Sequence, residues 1–374
     1  MKFTINRDLL LTELTHAAKG LSTKTPMPIL TGIKLLVSTD GLTLTTSNTE
    51  ISIQIKIPQS QHLTVETPGE CVVPGKYFLE IIRKIDARDI DFAIFEENMI
   101  KILADRSNFT LIGLDKTDYP QINFNDSAES ILLDSSVLKQ IIKQTSFATG
   151  VSETRIILTG ISFNINENQL TATATDSFRL AKKTIKLPKS YNKINVVIPS
   201  KALDDLNKII DDADEKVSIH LASNKVLFKY KNISFLTRLI EGTYPDTSSL
   251  IPKEFFTDLK FNKQELISAI DRAALFTNMD TSNIVKLTLK SDKVVEIASN
   301  STEIGKVVEE VYPTDCSVLK PFQIAFSSKY FLDAVKSFDS NEVTIHFTGE
   351  IKPFVVRGEY DFNLTQLILP VRVS

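Results

Sequence analysis

Lysine at the start of a predicted helix is the chemistry that this sequence repeats. Lys76, Lys201 and Lys329 stand at matching places, each in the predicted first turn of a helix. A cation there opposes the helix dipole, at a cost of roughly 0.3 to 1 kcal/mol. Either these side chains are solvated, or they face a polyanion. Three further cations on the opening helices would extend the same basic face: Lys139, Lys143 and Arg272.

No sequence pattern nominates a catalytic centre. Residues 69–76 approach a phosphate-binding loop, but five residues separate the glycines where the motif has four, and Tyr77 replaces its Ser or Thr. The acidic residues between Asp204 and Asp214 lie beside Lys208, which is typical of a solvated helix face. The histidines are too dispersed to form a ligand pair: His16, His62, His220 and His346. The residues do not exclude an enzyme, but no motif nominates one, and we predict neither a metal site nor a cofactor.

Composition indicates a cytoplasmic protein of several domains. The chain has 374 residues, 42% of them hydrophobic, which suffices for two or three separate cores. Its net charge of −3 argues against tight binding of nucleic acid. Cys71 and Cys316 are distant from each other, which favours two free thiols in a reducing compartment. The sequence contains no signal peptide and no apolar run of membrane-spanning length.

Three long repeats divide the chain. The candidate helix caps Asn6, Asp134 and Asn262 stand 128 positions apart, each before a matching apolar pattern. The same offset places Ile29-Leu30-Thr31-Gly32-Ile33 onto Ile157-Leu158-Thr159-Gly160-Ile161. A period of this length indicates repeated domains rather than solenoid units. We predict three domains, at residues 1–126, 127–253 and 254–374, joined by linkers near 123–128 and 252–258.

Each repeat is predicted to contain two helices and two groups of antiparallel strands, an α+β fold. In the first repeat, apolar residues at helical spacing predict a helix over residues 7–20. Alternation at Ile51, Ile53, Ile55 and Ile57 predicts a strand that ends at Pro58. The second helices are predicted to begin near residues 74–76, 199–201 and 327–329, and a hairpin follows each one, over residues 90–105, 217–230 and 343–356.

These features together resemble the bacterial sliding clamp family, the beta subunit of DNA polymerase III. The similarity extends over the whole chain, and no single motif is decisive. It rests on the following segments, in order: Met1-Lys2-Phe3-Thr4-Ile5, Met27-Pro28-Ile29-Leu30, Ala174-Thr175-Asp176-Ser177-Phe178-Arg179-Leu180-Ala181, Tyr244-Pro245-Asp246 and Leu369-Pro370-Val371-Arg372.

The resemblance implies three clamp-type domains per chain, assembling as a ring. Two chains would close head to tail as a homodimer, with helices lining a hole that encircles duplex DNA without sequence preference. The family is not enzymatic. Its implied partners are the replicative DNA polymerase, the clamp loader and other proteins with a clamp-binding motif. Weak DNA contacts suffice in a closed ring, so the net charge of −3 is no contradiction.

The resemblance also implies a groove for a partner peptide between the second and third domains. Ser177-Phe178 stands where many relatives have Gly-His, and Ser249 where some have arginine, which alters the expected peptide preference. Leucine, proline and valine would form pockets for apolar anchors, while Arg179 and Arg372 would meet polar or acidic groups at the rim. The implied groove residues are Leu158, Thr175, Ser177, Phe178, Arg179, Leu180, Pro245, Leu250, Leu367, Leu369, Pro370, Val371 and Arg372.

Two further sets of residues follow from the resemblance. The family match assigns Lys24 and Lys201 to the DNA-facing surface, and the repeat adds Lys76 and Lys329. For the subunit contact, the match places Phe109 and Leu111 of the first domain against Leu275 and Phe276 of the third. Packing of Leu275 and Phe276 into their own core is the alternative.

Two other functions remain open from the residues alone. One is a cytosolic repeat scaffold that does not bind DNA, against which the lysines at the helix starts argue. The other is a hydrolase with a site between domains, which the missing motifs oppose.

Overall fold

The chain folds into two compact units that cut across the second repeat. The computed structural model describes residues 1–22, 25–96, 98–126, 129–151, 153–211, 214–277, 283–290, 293–301, 305–317 and 321–372. The first unit comprises Met1–Leu138 with Lys201–Leu239, and the second comprises Lys139–Ser200 with Ile240–Ser374. The second repeat therefore contributes strands to both units.

The helices and strands follow one order in each repeat. The first repeat contains β1 (Lys2–Asn6), α1 (Arg7–Ala17), β2 (Gly32–Ser38), β3 (Gly41–Ser47), β4 (Ile51–Pro58), β5 (Leu63–Thr67), β6 (Gly69–Pro74), α2 (Gly75–Lys84), β7 (Asp89–Phe95), β8 (Met99–Ala104) and β9 (Ser107–Ile112). The second contains β10 (Ser130–Asp134), α3 (Ser135–Thr145), β11 (Gly160–Thr175), β12 (Arg179–Pro199), α4 (Ser200–Asn207), β13 (Lys216–Leu221), β14 (Lys225–Tyr230) and β15 (Ile233–Arg238). The third contains β16 (Thr257–Asn262), α5 (Lys263–Ala274), β17 (Ile284–Leu289), β18 (Val295–Ser301), β19 (Gly305–Val311), β20 (Asp315–Cys316), β21 (Phe322–Ser327), α6 (Ser328–Lys336), β22 (Glu342–Phe347), β23 (Phe354–Gly358) and β24 (Leu364–Ile368).

Asparagine caps begin the first and the third opening helices, as predicted. The Asn6 side-chain oxygen accepts the backbone N–H of Leu9 at 3.1 Å. In the third repeat, Asn262 accepts the N–H groups of Gln264 and Glu265 at 3.0 and 3.1 Å. These bonds satisfy donors that the first helical turn leaves free.

The first helix ends earlier than its sequence pattern predicts. It stops at Ala17, and a short 3-10 turn covers Ala18–Gly20. The Thr46 hydroxyl donates to the Ala17 carbonyl at 2.7 Å, which gives the helix end a partner from β3. A Cβ atom at Gly20 would lie 2.4 Å from the Thr46 hydroxyl oxygen, so the close approach to β3 requires glycine.

The first unit contains two sheets. One runs in the order β5-β1-β7-β8-β9, and the other in the order β10-β13-β14-β15-β4-β3-β2-β6. Ile51, Ile53, Ile55 and Ile57 of β4 are buried and alternate with more exposed residues, as the period of two predicts. Because β15 pairs with β4, the second sheet combines strands from two repeats.

The second unit also contains two sheets. They run in the orders β11-β12-β24-β23-β22-β16-β20 and β19-β18-β17-β21. Between them and the helices α5 and α6 lies a core whose largest members are phenylalanines: Phe261, Phe322, Phe326, Phe331, Phe338, Phe347 and Phe354. Leu266, Ile270 and Ala273 present the buried face of α5 to this core, as their spacing predicts.

The predicted hairpins are present, but each is followed by one more strand. β9, β15 and β24 pair with the second strand of the hairpin in their repeat. The predicted second linker is also shorter than expected, because Thr257 and Asp258 already belong to β16.

Candidate functional site

A tight turn before β12 forms one side of the predicted partner groove. Asp176 accepts the backbone N–H groups of Phe178 and Arg179 through one carboxylate oxygen, at 2.9 and 3.0 Å. Ser177 between them has a φ of 79°, in the left-handed region that few non-glycine residues adopt. The same turn occurs in the first repeat, where Asn48 accepts from Glu50 and Ile51 and Thr49 has a φ of 77°.

Arg179 is buried and fully engaged inside the chain, with 8% of its surface exposed. Its guanidinium donates to Asp176 at 3.0 Å and to Asp333 of α6 at 2.6 Å. The guanidinium carbon also lies 4.4 Å from the ring centre of Tyr330 and 5.3 Å from that of Phe147. The prediction that Arg179 meets acidic groups of a peptide at the rim is therefore wrong, because its side chain is already paired with two carboxylates and packed on two rings.

Two apolar clusters lie beneath this region. Leu180 of β12 and Leu367 of β24 pack with Val355, and Ile251 and Phe255 cover them. The residues are strand neighbours, since Leu180 pairs with Leu367, which also pairs with Val355. Leu180 and Leu367 are therefore buried, and could form only the floor of the predicted groove, not its open walls.

The second cluster contains Leu158 with Val197 and Tyr244. The Tyr244 hydroxyl oxygen accepts the backbone N–H of Thr175 at 3.0 Å, which ties this cluster to the end of β11. Burial raises the pKa of Tyr244 to about 12, so the phenol stays neutral in ordinary buffers.

Several of the predicted groove residues are exposed. Phe178 has 58% of its surface exposed, and Leu250, Leu369 and Val371 are exposed as well. Pro245 and Arg372 are also exposed, whereas Pro370 is partly buried. Of the predicted groove residues, Leu250 lines a cleft of about 600 Å³. The cleft is lined by Ser249, Leu250, Pro252, Lys253, Glu254, Phe255, Phe256, Thr348, Lys352 and Pro353.

The C-terminal segment is held in place by the backbone. The N–H of Leu369 donates to the carbonyl of Phe178 at 2.9 Å, and the N–H of Val371 donates to that of Ala325 at 2.7 Å. These bonds place Leu369 beside the turn that carries Phe178, and Val371 beside β21. These bonds hold the segment against the rest of the chain as far as Val371.

The repeated lysines lie at helix starts, as predicted. Lys76, Lys201 and Lys329 are exposed in the first turns of α2, α4 and α6. Lys24 lies outside the described residues. Two of the three added cations are paired with carboxylates, Lys143 with Asp339 at 3.0 Å and Arg272 with Glu309 at 2.6 Å. Their charge is thus compensated within the chain.

The predicted subunit-contact residues lie on or near strands that end a sheet. Phe109 and Leu111 lie half-buried on β9, and the neighbouring Ile112 is 73% exposed. Leu275 follows α5 and is 64% exposed, so its packing into its own core is excluded. The Phe276 ring is half-buried and lies 4.0 Å from where a Cβ atom would stand at Gly305, the first residue of β19.

Over the described ranges, no three His, Cys, Asp or Glu side chains group as metal ligands. Nor is any of the described helices long and apolar enough to cross a membrane.

Comparison with family models covers nearly the whole chain. Residues 1–123 match the N-terminal domain of the DNA polymerase III beta subunit, residues 132–246 its central domain and residues 248–372 its C-terminal domain. The chain belongs to this beta subunit family.

Known members are similar over their full length. A beta sliding clamp from Staphylococcus aureus strain Mu50 is 42% identical, over 100% of this chain and 99% of that protein. The beta sliding clamp of Bacillus subtilis strain 168 is 41% identical, over 100% of both chains. The crystal structure of the B. subtilis DNA polymerase sliding clamp superposes with a TM-score of 0.96 at 40% identity, covering 100% of both chains.

Reasoning from the sequence missed several residues that contact those of the predicted groove. Ile251 and Val355 complete the apolar floor, and Tyr330 and Asp333 of α6 hold the turn at Phe178 through Arg179. Tyr330 and Asp333 are three residues apart on one helix, and this spacing indicates that their side chains share one face. Arg179, their partner in β12, lies 154 residues before Asp333, and no local pattern indicates that pairing.

Proposed function

We propose that this protein is a DNA sliding clamp that closes as a head-to-tail dimeric ring around duplex DNA and tethers the replicative polymerase. The observation that carries the proposal is a pairing of strands between neighbouring repeats, which occurs twice within the chain. In the described part of the chain, one equivalent strand of the first repeat and one of the third are left without such a partner. The clamp loader and other proteins with a clamp-binding motif are the further partners.

The first junction joins the first two repeats through β4 and β15. Ile53 lies opposite Phe235, and the pairing is antiparallel. Backbone bonds flank it on both sides, from Lys56 N–H to the Asn232 carbonyl at 3.1 Å and from Arg238 N–H to the Glu50 carbonyl at 3.3 Å. These bonds define the register, and they make Ile53 and Phe235 a pair without hydrogen bonds between them.

The second junction joins the second and third repeats through β12 and β24 in the same register. Ala181 and Gln366 take the places of Ile53 and Phe235. The flanking bonds recur at 2.9 Å each, from Thr184 N–H to the Asn363 carbonyl and from Leu369 N–H to the Phe178 carbonyl. The last strand of one repeat thus pairs with the same inner strand of the preceding repeat both times.

The strand β9 of the first repeat is equivalent to β15 and β24, and β19 of the third is equivalent to β4 and β12. Among the described strands, neither β9 nor β19 has the corresponding partner, and each lies at the end of its sheet. Phe109 corresponds to Phe235, because Ala104–Ser107 and Tyr230–Ile233 are equivalent pairs. Val308 corresponds to Ile53, because Ser299 lies opposite Val307 as Ser47 lies opposite Ser52. In the repeated register, Phe109 of one chain would lie opposite Val308 of another.

Two chains joined in this way form two identical contacts, and both β9 and β19 of each chain gain a partner strand. Each contact uses two different surfaces, so the assembly is heterologous, yet it closes as a finite ring. A closed ring stays on a long duplex without tight phosphate contacts. The net charge of −3 then fits the function, because strong contacts would oppose sliding.

Crosslinking tests this register and the ring together. We expect the double variant Phe109→Cys with Val308→Cys to form covalent dimers on oxidation, because cross-strand pairs without hydrogen bonds bring their side chains closest. After loading on nicked circular DNA and oxidation, the dimer should resist high salt and leave when the circle is linearised. The measurement is non-reducing electrophoresis combined with gel filtration of the DNA complex.

The matched control is Phe109→Cys with Val307→Cys, since a shift of one residue turns the second thiol to the opposite face of the sheet. The native Cys71 and Cys316 are present in both variants. Equal crosslinking of the two variants would refute the register. Retention that survives linearisation would refute the ring.

The four DNA-facing lysines provide a separate test. Changing Lys24, Lys76, Lys201 and Lys329 to glutamine should flatten the salt dependence of DNA binding, by about 0.9 slope units for each phosphate that a lysine no longer neutralises. Folding should be unchanged or slightly improved, because cations leave helix N-termini. Fluorescence anisotropy of labelled duplex across a salt series measures the slope.

A control with the same change of charge removes four exposed lysines from other elements: Lys186, Lys193, Lys216 and Lys352. If the two quadruple variants share one slope, the lysines at the helix starts are merely solvated.

The groove supplies the tether in this proposal. Its exposed apolar side chains, Phe178, Leu250 and Leu369, surround a floor of buried leucines. Such a surface fits a short peptide with aliphatic or aromatic anchors, which would be the energetic hot spots.

A further inference from the structure

Phe178 is an exposed residue whose backbone is bonded on both sides and whose ring stacks on Tyr330. Its backbone N–H donates to Asp176 at 2.9 Å, and its carbonyl accepts the N–H of Leu369 at 2.9 Å. Its ring stacks on Tyr330 with 6.5 Å between ring centres and an interplanar angle of 25°. Despite these contacts, 58% of the residue is exposed. The bonded backbone and the stacked ring restrict this side chain, so it loses less freedom when a ligand covers it.

Tyr330, which supports Phe178, is itself held by Arg179. The guanidinium carbon lies 4.4 Å from the Tyr330 ring centre, within the range of a cation–π contact. Because Arg179 is buried, its positive charge is compensated by two carboxylate partners, Asp176 and Asp333. Removing either partner leaves a buried cation short of compensation.

Asp333 is the partner that comes from another repeat. It lies on α6, three residues after Tyr330, and its carboxylate accepts from Arg179 at 2.6 Å. Its side chain is one-third exposed and faces the same side of α6 as Tyr330. Asp333 therefore holds the guanidinium against the ring on which Phe178 stacks.

We propose that Asp333 is a positioning residue of the partner groove, which acts through Arg179 and Tyr330 to hold Phe178 as a platform for an apolar, preferably aromatic, anchor of a partner peptide. The inference rests on the proposed groove. A stacked aromatic pair on this platform gains contact area and ring–ring attraction, whereas an acidic anchor gains neither.

The test is a double-mutant cycle between Asp333 and Phe178. The probe is a synthetic peptide from a polymerase clamp-binding segment with an aromatic anchor, and its affinity for the full-length dimer is measured by calorimetry. Phe178→Ala should weaken binding about 10-fold, the loss of one hot-spot side chain. Asp333→Asn should weaken it about 5-fold in the native background and have no further effect once Phe178 is alanine.

A general loss of structure in Asp333→Asn would weaken binding in both backgrounds. Only a role that acts through Phe178 makes the two effects non-additive. Asp333→Asn keeps the shape of the side chain, and the melting temperature of each variant reports on folding. The matched control is Lys336→Gln, three residues after Asp333 on α6. It breaks the 3.8 Å ion pair of Lys336 with Asp271 of α5 and should leave the affinity for the peptide unchanged.

Two outcomes would overturn the role of Asp333. One is an unchanged affinity in Asp333→Asn. The other is an equal loss in both backgrounds, which would mean that Asp333 acts independently of Phe178. Failure of the groove itself looks different: neither Phe178→Ala nor removal of residues 369–374 would then weaken binding, and the positioning role would fall with it.

Discussion

Replacing Leu275 and Phe276 together with alanine is expected to yield folded monomers that do not remain on circular DNA. Leu275 is 64% exposed in the single chain, and Phe276 lies beside Gly305 at the start of the open strand β19. In the proposed ring both side chains become buried against Phe109 and Leu111 of the next chain. At about 2 kcal/mol for each large side chain, the double substitution weakens each subunit contact by on the order of 100- to 1,000-fold.

Sedimentation velocity at micromolar concentration measures the dimer, and retention on nicked circular DNA measures the ring. Melting temperature should change little, because the core face of α5 consists of other residues, among them Leu266 and Ile270. A control that removes exposed apolar side chains elsewhere is Leu36→Ala with Leu132→Ala, which should remain dimeric. A Leu275–Phe276 variant that stays dimeric at this concentration would place the subunit contact elsewhere.

Removing residues 369–374 is expected to abolish binding of a polymerase-derived peptide while the ring persists. The segment contributes Leu369 and Val371 to the exposed apolar surface, and it is tethered beside Phe178 and Ala325 by two backbone bonds. An apolar hot-spot side chain contributes about 2 kcal/mol or more to the free energy of binding. Loss of two such side chains therefore leaves a short peptide with too little affinity to detect. The ring should survive, because β9 and β19 lie elsewhere in the chain.

Calorimetry with the peptide and sedimentation of the dimer separate the two effects. Removal of residues 373–374 alone is the matched control and should bind normally. The point variant Leu369→Ala keeps the backbone bonds and should reproduce most of the loss. A charge at Leu180 would be a poor test, because Leu180 is 1% exposed and its replacement would damage the floor beneath the groove. Wild-type affinity after the longer truncation would show that the groove lies elsewhere.

Local patterns in the sequence were sufficient for the repeats and for most of their elements. Asn6 and Asn262 begin their helices because a side-chain oxygen three residues or fewer away satisfies a free N–H, which is a local event. The buried alternation from Ile51 to Ile57 follows from the geometry of a single strand. The exposed lysines at the starts of α2, α4 and α6 could be located for the same reason.

The end of α1 shows where local patterns become insufficient. The helix is predicted to extend to residue 20, yet it stops at Ala17, where Thr46 supplies a partner and leaves no room at Gly20. Long-range packing decides such boundaries, and it does not appear in the periodicity of the segment itself.

The sequence by itself determined three repeated α+β domains, their capped helices and the family resemblance with its candidate residues. Only the tertiary structure decided that β15 and β24 join neighbouring repeats in one register, and that β9 and β19 end their sheets. It also turned Arg179 inward, to Asp333 and Tyr330, and placed Leu180 under Ile251 and Phe255. The physical reason is that strand pairing and burial depend on partners far away in the chain, whereas caps and periodicity depend on residues within one turn or one strand.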